Sequence, residues 1–367
     1  MKVALIVPGG VDPSGTRRVV PCFLWLIQRI ARQHQVHVFA FFQEGAPPRY
    51  MLRGAHVHHI GRPRTAMRAM AALWAEHRRQ HFDVLHGIFA SPAGAFATLA
   101  GRALRRPAVV HLCGGELVSL PEVDYGEQRT PKGRRRVRLV LDHARSLTAQ
   151  SAPMVAAAAS MGATARRLPL GVDLNVWRPM PPRPREPERP ARLLHVASLS
   201  PVKDQAMLLD AAARLAAAGL RFTLDIVGED TLNGRIQAQA QAAGLEGSVR
   251  FHGFLEQDRL RPLMLAADLL LVTSRHEGGP IVLAEAAASG VPTVGTAVGQ
   301  IAEWAPAAAI AAPVGDAEAF AREVRALLED EPRRLRTAAL AGERAVAEDA
   351  DWTAHRVSSI YQEVTNA

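Results

Sequence analysis

The chain has 367 residues, 48% apolar and 22% charged, which suits two globular domains and excludes a disordered or fibrous protein. Its formal charge of +9 is unevenly spread: residues 1–180 hold 25 Lys/Arg against 10 Asp/Glu, a net of +15, and residues 181–367 hold 19 against 25, a net of −6. Only Cys22 and Cys113 occur, so a disulfide framework and a cysteine-built zinc site are excluded, and a reducing cytoplasm is the expected home.

The elements follow in chain order. Val3–Val7 is a buried first strand stopped by Pro8-Gly9-Gly10, and with Met1-Lys2 before it there is no signal-peptide pattern. Helices are predicted over Val20–Gln33, Thr65–Gln80 and Gly94–Leu104, and strands over Val36–Phe41, Val57–Ile60, Val84–Leu85 and Ala108–Leu112. Residues 179–190 read PMPPRPREPERP; proline fixes φ and lacks the N–H donor, so this stretch is expected to be a linker. A second strand-first unit starts at Leu193–Ala197. It continues through a helix at Ala206–Ala218, strands at Thr223–Val227 and Val249–Phe251, a helix at Asp258–Ala266 and a strand at Leu269–Val272. Apolar residues at helical spacing from Trp352 to Val364 predict a last helix that crosses back over the first domain. No apolar run approaches the roughly 18 residues of a membrane span. The expected domains are thus 1–178, a linker at 179–190, 191–345, and a returning helix at 346–367. Alternating strands and helices in both halves predict two open α/β domains, with ligand in the cleft between them at the C-terminal ends of the strands.

The densest chemistry lies at Thr273-Ser274-Arg275-His276-Glu277-Gly278-Gly279-Pro280, followed by a helix that carries Glu285. Gly278 and Gly279 let the backbone approach a ligand, and the helix N-terminus favours an anion such as a diphosphate. From these positions one carboxylate can reach a donor sugar hydroxyl while the other accepts from ribose hydroxyls. Taken alone, the spacing equally describes two surface carboxylates flanking a capped helix.

Glu277 and Glu285, with seven residues between them, resemble the signature of the family 4 glycosyltransferases. Further motifs of that family occur in order: Gly171-Val172-Asp173 with Trp177-Arg178-Pro179, Asp225 to Glu229, Val249 to Phe254 near the nucleobase, and Ala288 to Pro292. The resemblance covers nearly the whole chain. It implies the GT-B fold, two Rossmann-like α/β domains with parallel sheets facing across a cleft. It also implies a retaining transfer from a nucleotide-diphosphate-sugar, UDP- or GDP-linked, to a carbohydrate or lipid-linked acceptor, with no metal and no other cofactor. The family places an Arg and a Lys after the first strand of the second domain to neutralise the leaving diphosphate. Lys203 matches the lysine, whereas Ser198 stands at the arginine position. Arg275, or Arg17 and Arg18, are the candidate replacements. Phe254 falls by the nucleobase.

In the first domain, Gly9-Gly10-Val11-Asp12-Pro13-Ser14-Gly15 lacks the dinucleotide fingerprint and the P-loop lysine, which argues against a dehydrogenase or an ATPase. It resembles the family loop that closes on donor phosphates and acceptor, so Gly10 and Gly15 are donor-side candidates and Arg17 an acceptor-side one. Family members carry a sugar-contacting His near Cys113; His111, on the same strand face, and His86 are the candidates to replace it. Glu116 and Asp124 are candidates for orienting acceptor hydroxyls. His56, His58 and His59 lack partner carboxylates and are not expected to hold a metal. Arg134 to Arg138, and the helix with Arg64, Arg68, Arg78, Met67 and Trp74, fit either solvated faces or contact with an anionic membrane on its inner face. Nucleic acid is not expected, because no recognition motif accompanies the charge. Two rival readings stay open: a non-catalytic sugar-nucleotide-binding protein and a nucleotide-sugar epimerase.

Overall fold

The computed structural model describes residues 1–186 and 188–366; Pro187, within the proline-rich stretch, and Ala367 lie outside the described residues. The chain forms two compact units, residues 1–173 with 348–367, and residues 174–347.

The first unit runs β1 (Lys2–Val7), α1 (Pro21–Ile30), β2 (Gln35–Ala40), β3 (Arg49–Leu52), β4 (Ala55–His59), α2 (Thr65–Arg79), β5 (Val84–Ile88), α3 (Ala95–Leu104), β6 (Ala108–Leu112), α4 (Pro131–His143), β7 (Ser146–Ala149), α5 (Ala152–Ser160) and β8 (Arg166–Arg167). Its eight strands lie in the order β3-β4-β2-β1-β5-β6-β7-β8. All neighbours pair in parallel except β3, which is antiparallel to β4. Every residue of β1 is buried, as a strand covered on both faces by helices requires.

The second unit runs β9 (Ala191–Val196), α6 (Gln205–Ala217), β10 (Phe222–Val227), α7 (Arg235–Ala242), β11 (Val249–Gly253), α8 (Gln257–Ala266), β12 (Leu269–Val272), α9 (Ile281–Ala288), β13 (Thr293–Thr296), α10 (Gly299–Trp304), β14 (Ile310–Ala312), α11 (Ala317–Glu329) and α12 (Glu331–Ala347). Its sheet is parallel throughout, in the order β11-β10-β9-β12-β13-β14. From β9 the chain winds outward through β10 and β11, then returns to start again at β12 on the other side. That reversal opens a crevice beyond the C-terminal ends of β9 and β12, where an open α/β sheet receives ligands.

The chain returns to the first unit with α13 (Ala350–Asn366), whose Val357, Ile360 and Tyr361 are buried. Arg29 of α1 anchors the start of this helix. Its guanidinium lies 3.0 Å from Asp173 and 2.9 Å from Asp351.

The proline-rich stretch departs from the expectation of a linker. It docks on the second unit: Met180 N donates to the Ala288 carbonyl at 2.8 Å, and Arg185 N to Glu331 at 2.7 Å. Arg334 donates to the Arg183 carbonyl at 2.6 Å, and Arg189 forks onto Asp268 at 3.0 and 2.7 Å. Proline composition forbids helix and sheet interior, but it does not forbid an extended segment from giving its carbonyls and N–H groups to side chains. The unit boundary accordingly falls at Asp173–Leu174 rather than around the prolines.

Candidate active site

Two loops meet at the crevice of the second unit. One leaves β9 and runs through Ala197-Ser198-Leu199-Ser200-Pro201-Val202-Lys203 into α6. The other leaves β12 and runs through Thr273 to Pro280 into α9. They are stitched together at several points. Thr273 Oγ1 donates to the Lys203 carbonyl at 3.0 Å, and Arg275 N to the Val202 carbonyl at 2.8 Å. Lys203 Nζ lies 2.5 Å from Glu277 Oε1, which also accepts from Ser274 Oγ at 2.7 Å. A cation and a carboxylate from separate strands are thereby held against each other at the mouth of the crevice, both partly open to solvent.

A third loop braces the glycine turn. Gly299, at φ +47°, packs its Cα against the Glu277 and Gly278 carbonyls so closely that a Cβ would lie 2.3 and 2.5 Å from those oxygens. Gln300 N donates to the Gly278 carbonyl at 3.2 Å, and Thr296 Oγ1 to the Ser274 carbonyl at 2.5 Å. The turn is held from behind, with Gly278 and Pro280 buried and Gly279 half-buried.

Glu285 sits on α9 and is 4% exposed. Burial pushes its carboxyl up to about 8, and the Trp177 indole N–H faces it without closing a well-formed hydrogen bond. The acid is therefore neutral in the folded protein at neutral pH, where an unfolded glutamate is ionised. Since the folded-state value is raised, the native state binds the extra proton, and stability falls as pH rises from the unfolded value towards 8. Glu285→Gln is expected to abolish that slope. Urea midpoints of the two proteins should coincide near pH 4 and diverge in favour of the variant near pH 8; parallel midpoints would show that Glu285 is ionised in the fold.

Ser198 is exposed at the end of β9, where the sequence resemblance placed a cation. Arg275 pairs with an acidic residue of the other loop. Its Nε lies 2.9 Å from Asp204, and the two line a hollow with α6 and Ala317. Arg275 thus ties the two loops together through Asp204. Phe254 follows β11 and is 54% exposed.

The first-unit candidates separate into loop and core. Gly10, at φ +77°, and Gly15, at φ +70°, belong to a turn closed by a bridge between Val11 and Val19, with Tyr50 donating to the Val11 carbonyl at 2.5 Å. Arg17 is exposed on this turn, and Arg18 lies 3.3 Å from Asp12. His86 and His111, proposed as sugar contacts, are each 1% exposed. His86 Nδ1 pairs with Tyr361 Oη at 2.7 Å, and His111 Nδ1 with Thr148 Oγ1 at 2.7 Å. Burial lowers both rings to about 3, so they are neutral packing groups within the sheet core and not surfaces for a sugar.

Glu116 is likewise turned inward. Its carboxylate accepts from the backbone N–H groups of Gly114 at 2.6 Å, Cys113 at 3.0 Å and Ala90 at 3.3 Å, which clamps two strand-end loops and leaves little capacity for an acceptor hydroxyl. Asp124 is exposed and pairs with Arg129. Of the β4 histidines, His58 is buried and its Nε2 meets His37 Nδ1 at 3.0 Å, His59 is half-buried and His56 is exposed; no metal-ligand cluster occurs among the described residues. The Arg134–Arg138 run lies on α4, where Arg134 donates to the Gln128 carbonyl and Arg138 pairs with Asp142.

Sequence reasoning missed Ser274, Gly299, Thr296 and Trp177. Ser274 stood inside the quoted motif, and the expectation of a ligand at the glycine turn gave no reason to look beyond the helix for a brace.

Residues 19–171 match the family described as glycosyl transferase 4-like domain, and residues 179–343 match glycosyl transferases group 1. The glycogen synthase of Mycobacterium tuberculosis is 31% identical over 188 residues, 50% of this chain and 44% of that protein. The chain spans between about a third and a half of the length of the curated relatives it matches. Among solved structures, the sucrose-phosphate synthase of Thermosynechococcus elongatus superposes with a TM-score of 0.82 at 17% identity, covering 99% of both chains. HepE of Anabaena, in complex with UDP-glucose, superposes at 0.76 with 20% identity, covering 99% of this chain and 100% of that one.

Proposed function

From the premise that this chain is a GT-B-fold relative of the group 1 and 4-like glycosyl transferases, we propose that it transfers a sugar, with retention, from a nucleotide-diphosphate-sugar to an acceptor hydroxyl. The observation that carries the reading is the Lys203–Glu277 pair beside the Gly278-Gly279 turn, with Glu285 one helix face further on, all at the switch point of the second sheet. In this reaction the bond between the sugar's anomeric carbon and the diphosphate oxygen breaks with its electrons on the leaving group. A new bond forms to the acceptor oxygen, whose proton passes to the departing diphosphate oxygen. Charge therefore grows on the diphosphate while the sugar becomes oxocarbenium-like, and a fixed cation at the phosphate is the group that lowers the barrier.

Lys203 supplies that cation and the Gly278-Gly279 backbone supplies N–H donors. Glu277, released from Lys203 as the diphosphate arrives, accepts from a sugar hydroxyl. Glu285, neutral in the fold, can both donate to and accept from the ribose hydroxyls. HepE carries UDP-glucose, which makes uridine diphosphate the first probe and guanosine diphosphate the second. A thermal-shift screen of nucleoside diphosphates should show stabilisation by one of them that Glu285→Ala removes. If none stabilises the wild type, the donor reading is wrong. The acceptor is a carbohydrate or lipid-linked hydroxyl received by the first unit, and no metal is required by the groups named. A binding protein without turnover is the second reading, favoured by Ser198 at the position of the absent arginine; release of free nucleoside diphosphate on mixing donor with acceptor excludes it.

No helix among the described residues is long and apolar enough to cross a membrane. A peripheral contact is proposed instead. On α2, Met67 and Trp74 are 68% and 51% exposed, flanked by Arg64, Arg68 and Arg78. Apolar tips beside cations suit an anionic bilayer surface. Flotation with phosphatidylglycerol vesicles should retain the wild type and lose Trp74→Ala with Arg68→Ala; equal retention of both rules the face out.

A further inference from the structure

The turn that carries Lys203 is fixed by a buried pair with no place in the chemistry above. Gln205 opens α6 and is 1% exposed; His195, on β9, is also 1% exposed. The Gln205 amide is used at almost every position. Its Nε2 donates to the Ser198 carbonyl at 3.1 Å and meets His195 Nε2 at 3.1 Å, while its Oε1 accepts from Ser200 N at 3.2 Å. His195 Nδ1 lies 2.9 Å from the Leu271 carbonyl of β12, which can only accept. The proton therefore sits on Nδ1, and Nε2 offers a lone pair to the amide. One side chain thus grips both ends of the Ser198–Ser200 segment and is itself oriented from β12, the strand that ends in the Glu277 loop.

We infer that Gln205 and His195 are positioning residues of the donor site: the amide, oriented by the imidazole, fixes Ser198 and Ser200 and with them the turn that presents Lys203 to Glu277. The inference rests on the donor reading only for its consequence in binding; the clamp itself is a property of the fold. Two features support it. The turn is short and mostly irregular, so its conformation depends on the few hydrogen bonds it makes. The imidazole is neutral, lowered to about 4 by burial, with Lys203 and Glu277 as the charged groups acting on it in opposite senses. Neither partner of the clamp has a proton to gain or lose near neutral pH.

The test compares the full chain with Gln205→Leu and Gln205→Glu. Leucine keeps the volume and removes all the hydrogen bonds. Amide exchange over residues 198–203, measured without nucleotide, should accelerate about tenfold in that variant while the interiors of β9 and α6 keep their protection. The dissociation constant for uridine diphosphate should rise by about tenfold, because Lys203 is no longer held in place. The glutamate variant adds a pH signature. Its carboxylate still accepts from Ser200 N, but it tolerates the Nε2 lone pair only if the pair takes up a proton. Near pH 6 the proton is present and the turn stays protected. Towards pH 9 it is lost, the carboxylate faces both the lone pair and the Ser198 carbonyl, and protection falls; the wild type is flat over that range. A purely volume-filling role for Gln205 predicts neither the exchange change in Gln205→Leu nor the pH slope in Gln205→Glu, and the absence of both overturns the inference. If the exchange results hold while the wild type binds no nucleoside diphosphate, the clamp stands and the donor reading falls.

Discussion

Lys203→Ala is expected to lower kcat by about 10²–10³-fold while leaving the thermal midpoint close to that of the wild type, because the lost charge acts on the leaving diphosphate. Lys203 is the cation on the β9 loop, and its ammonium already points at the β12 loop, 2.5 Å from Glu277. Its side chain is 26% exposed and that of Glu277 12%, so water reaches the pair and its loss is expected to cost about 1 kcal/mol of stability, less than the kinetic loss. The two effects therefore separate, with large kinetic loss and small stability loss. Glu277→Gln should behave differently. It keeps the acceptor for Ser274 but removes the negative partner of Lys203, so nucleoside diphosphate binding is maintained or tightened while sugar transfer falls. Measuring release of nucleoside diphosphate from the sugar donor, alongside its equilibrium binding, distinguishes the two. A kcat within threefold of wild type for Lys203→Ala would remove the lysine from the mechanism.

The second large effect is at Gly299. Gly299→Ala is expected to cost about 3 kcal/mol or more of stability in the second unit and to abolish nucleotide binding. Two penalties add. The residue sits at φ +47°, where a side chain is strained, and the new Cβ would lie 2.3 Å from the Glu277 carbonyl oxygen and 2.5 Å from that of Gly278. Backbone oxygens cannot swing aside as the tip of a flexible side chain can, so the Glu277-Gly278 turn must move. Gly234→Ala is the control. It shares a positive φ, +81°, but its Cβ would meet nothing within 4 Å, so only the conformational penalty of about 1 kcal/mol applies. Urea denaturation of the two variants should therefore differ by roughly 2 kcal/mol. Equal losses would mean that the contact with the turn is relieved cheaply, and that Gly299 does not brace the site.

The elements that frame the second-unit crevice were legible in the sequence because their signals are local. A strand buried on both faces must be an unbroken apolar run, which marks β1 and β12 wherever they lie in the fold. Two glycines and a proline before an apolar stretch must turn the chain and open a helix, which placed Gly278, Gly279 and α9. Lys203 and the Glu277–Glu285 pair were marked by the resemblance to the family and not by local chemistry. The proline-rich stretch was half legible: proline chemistry excludes helix and sheet interior, but whether such a segment hangs free or docks depends on Ala288, Glu331 and Asp268, far along the chain.

What the tertiary structure alone decided are the choices that chain-distant groups settle. Period two put His111 on one face of its strand without telling whether that face meets solvent or Thr148, and His86 is claimed by Tyr361, 275 residues later. Glu116 looked available until folding turned its carboxylate onto the N–H groups of Ala90, Cys113 and Gly114. Arg275 sat within the motif, and only folding pairs it with Asp204. The pairing of β9 with β12, skipping over β10 and β11, is what brings Lys203 to Glu277 and sets Gln205 against His195. Local sequence dictates conformation and which side chains are present. Which of them stay free for a ligand is decided only when burial forces every polar group to find its partner.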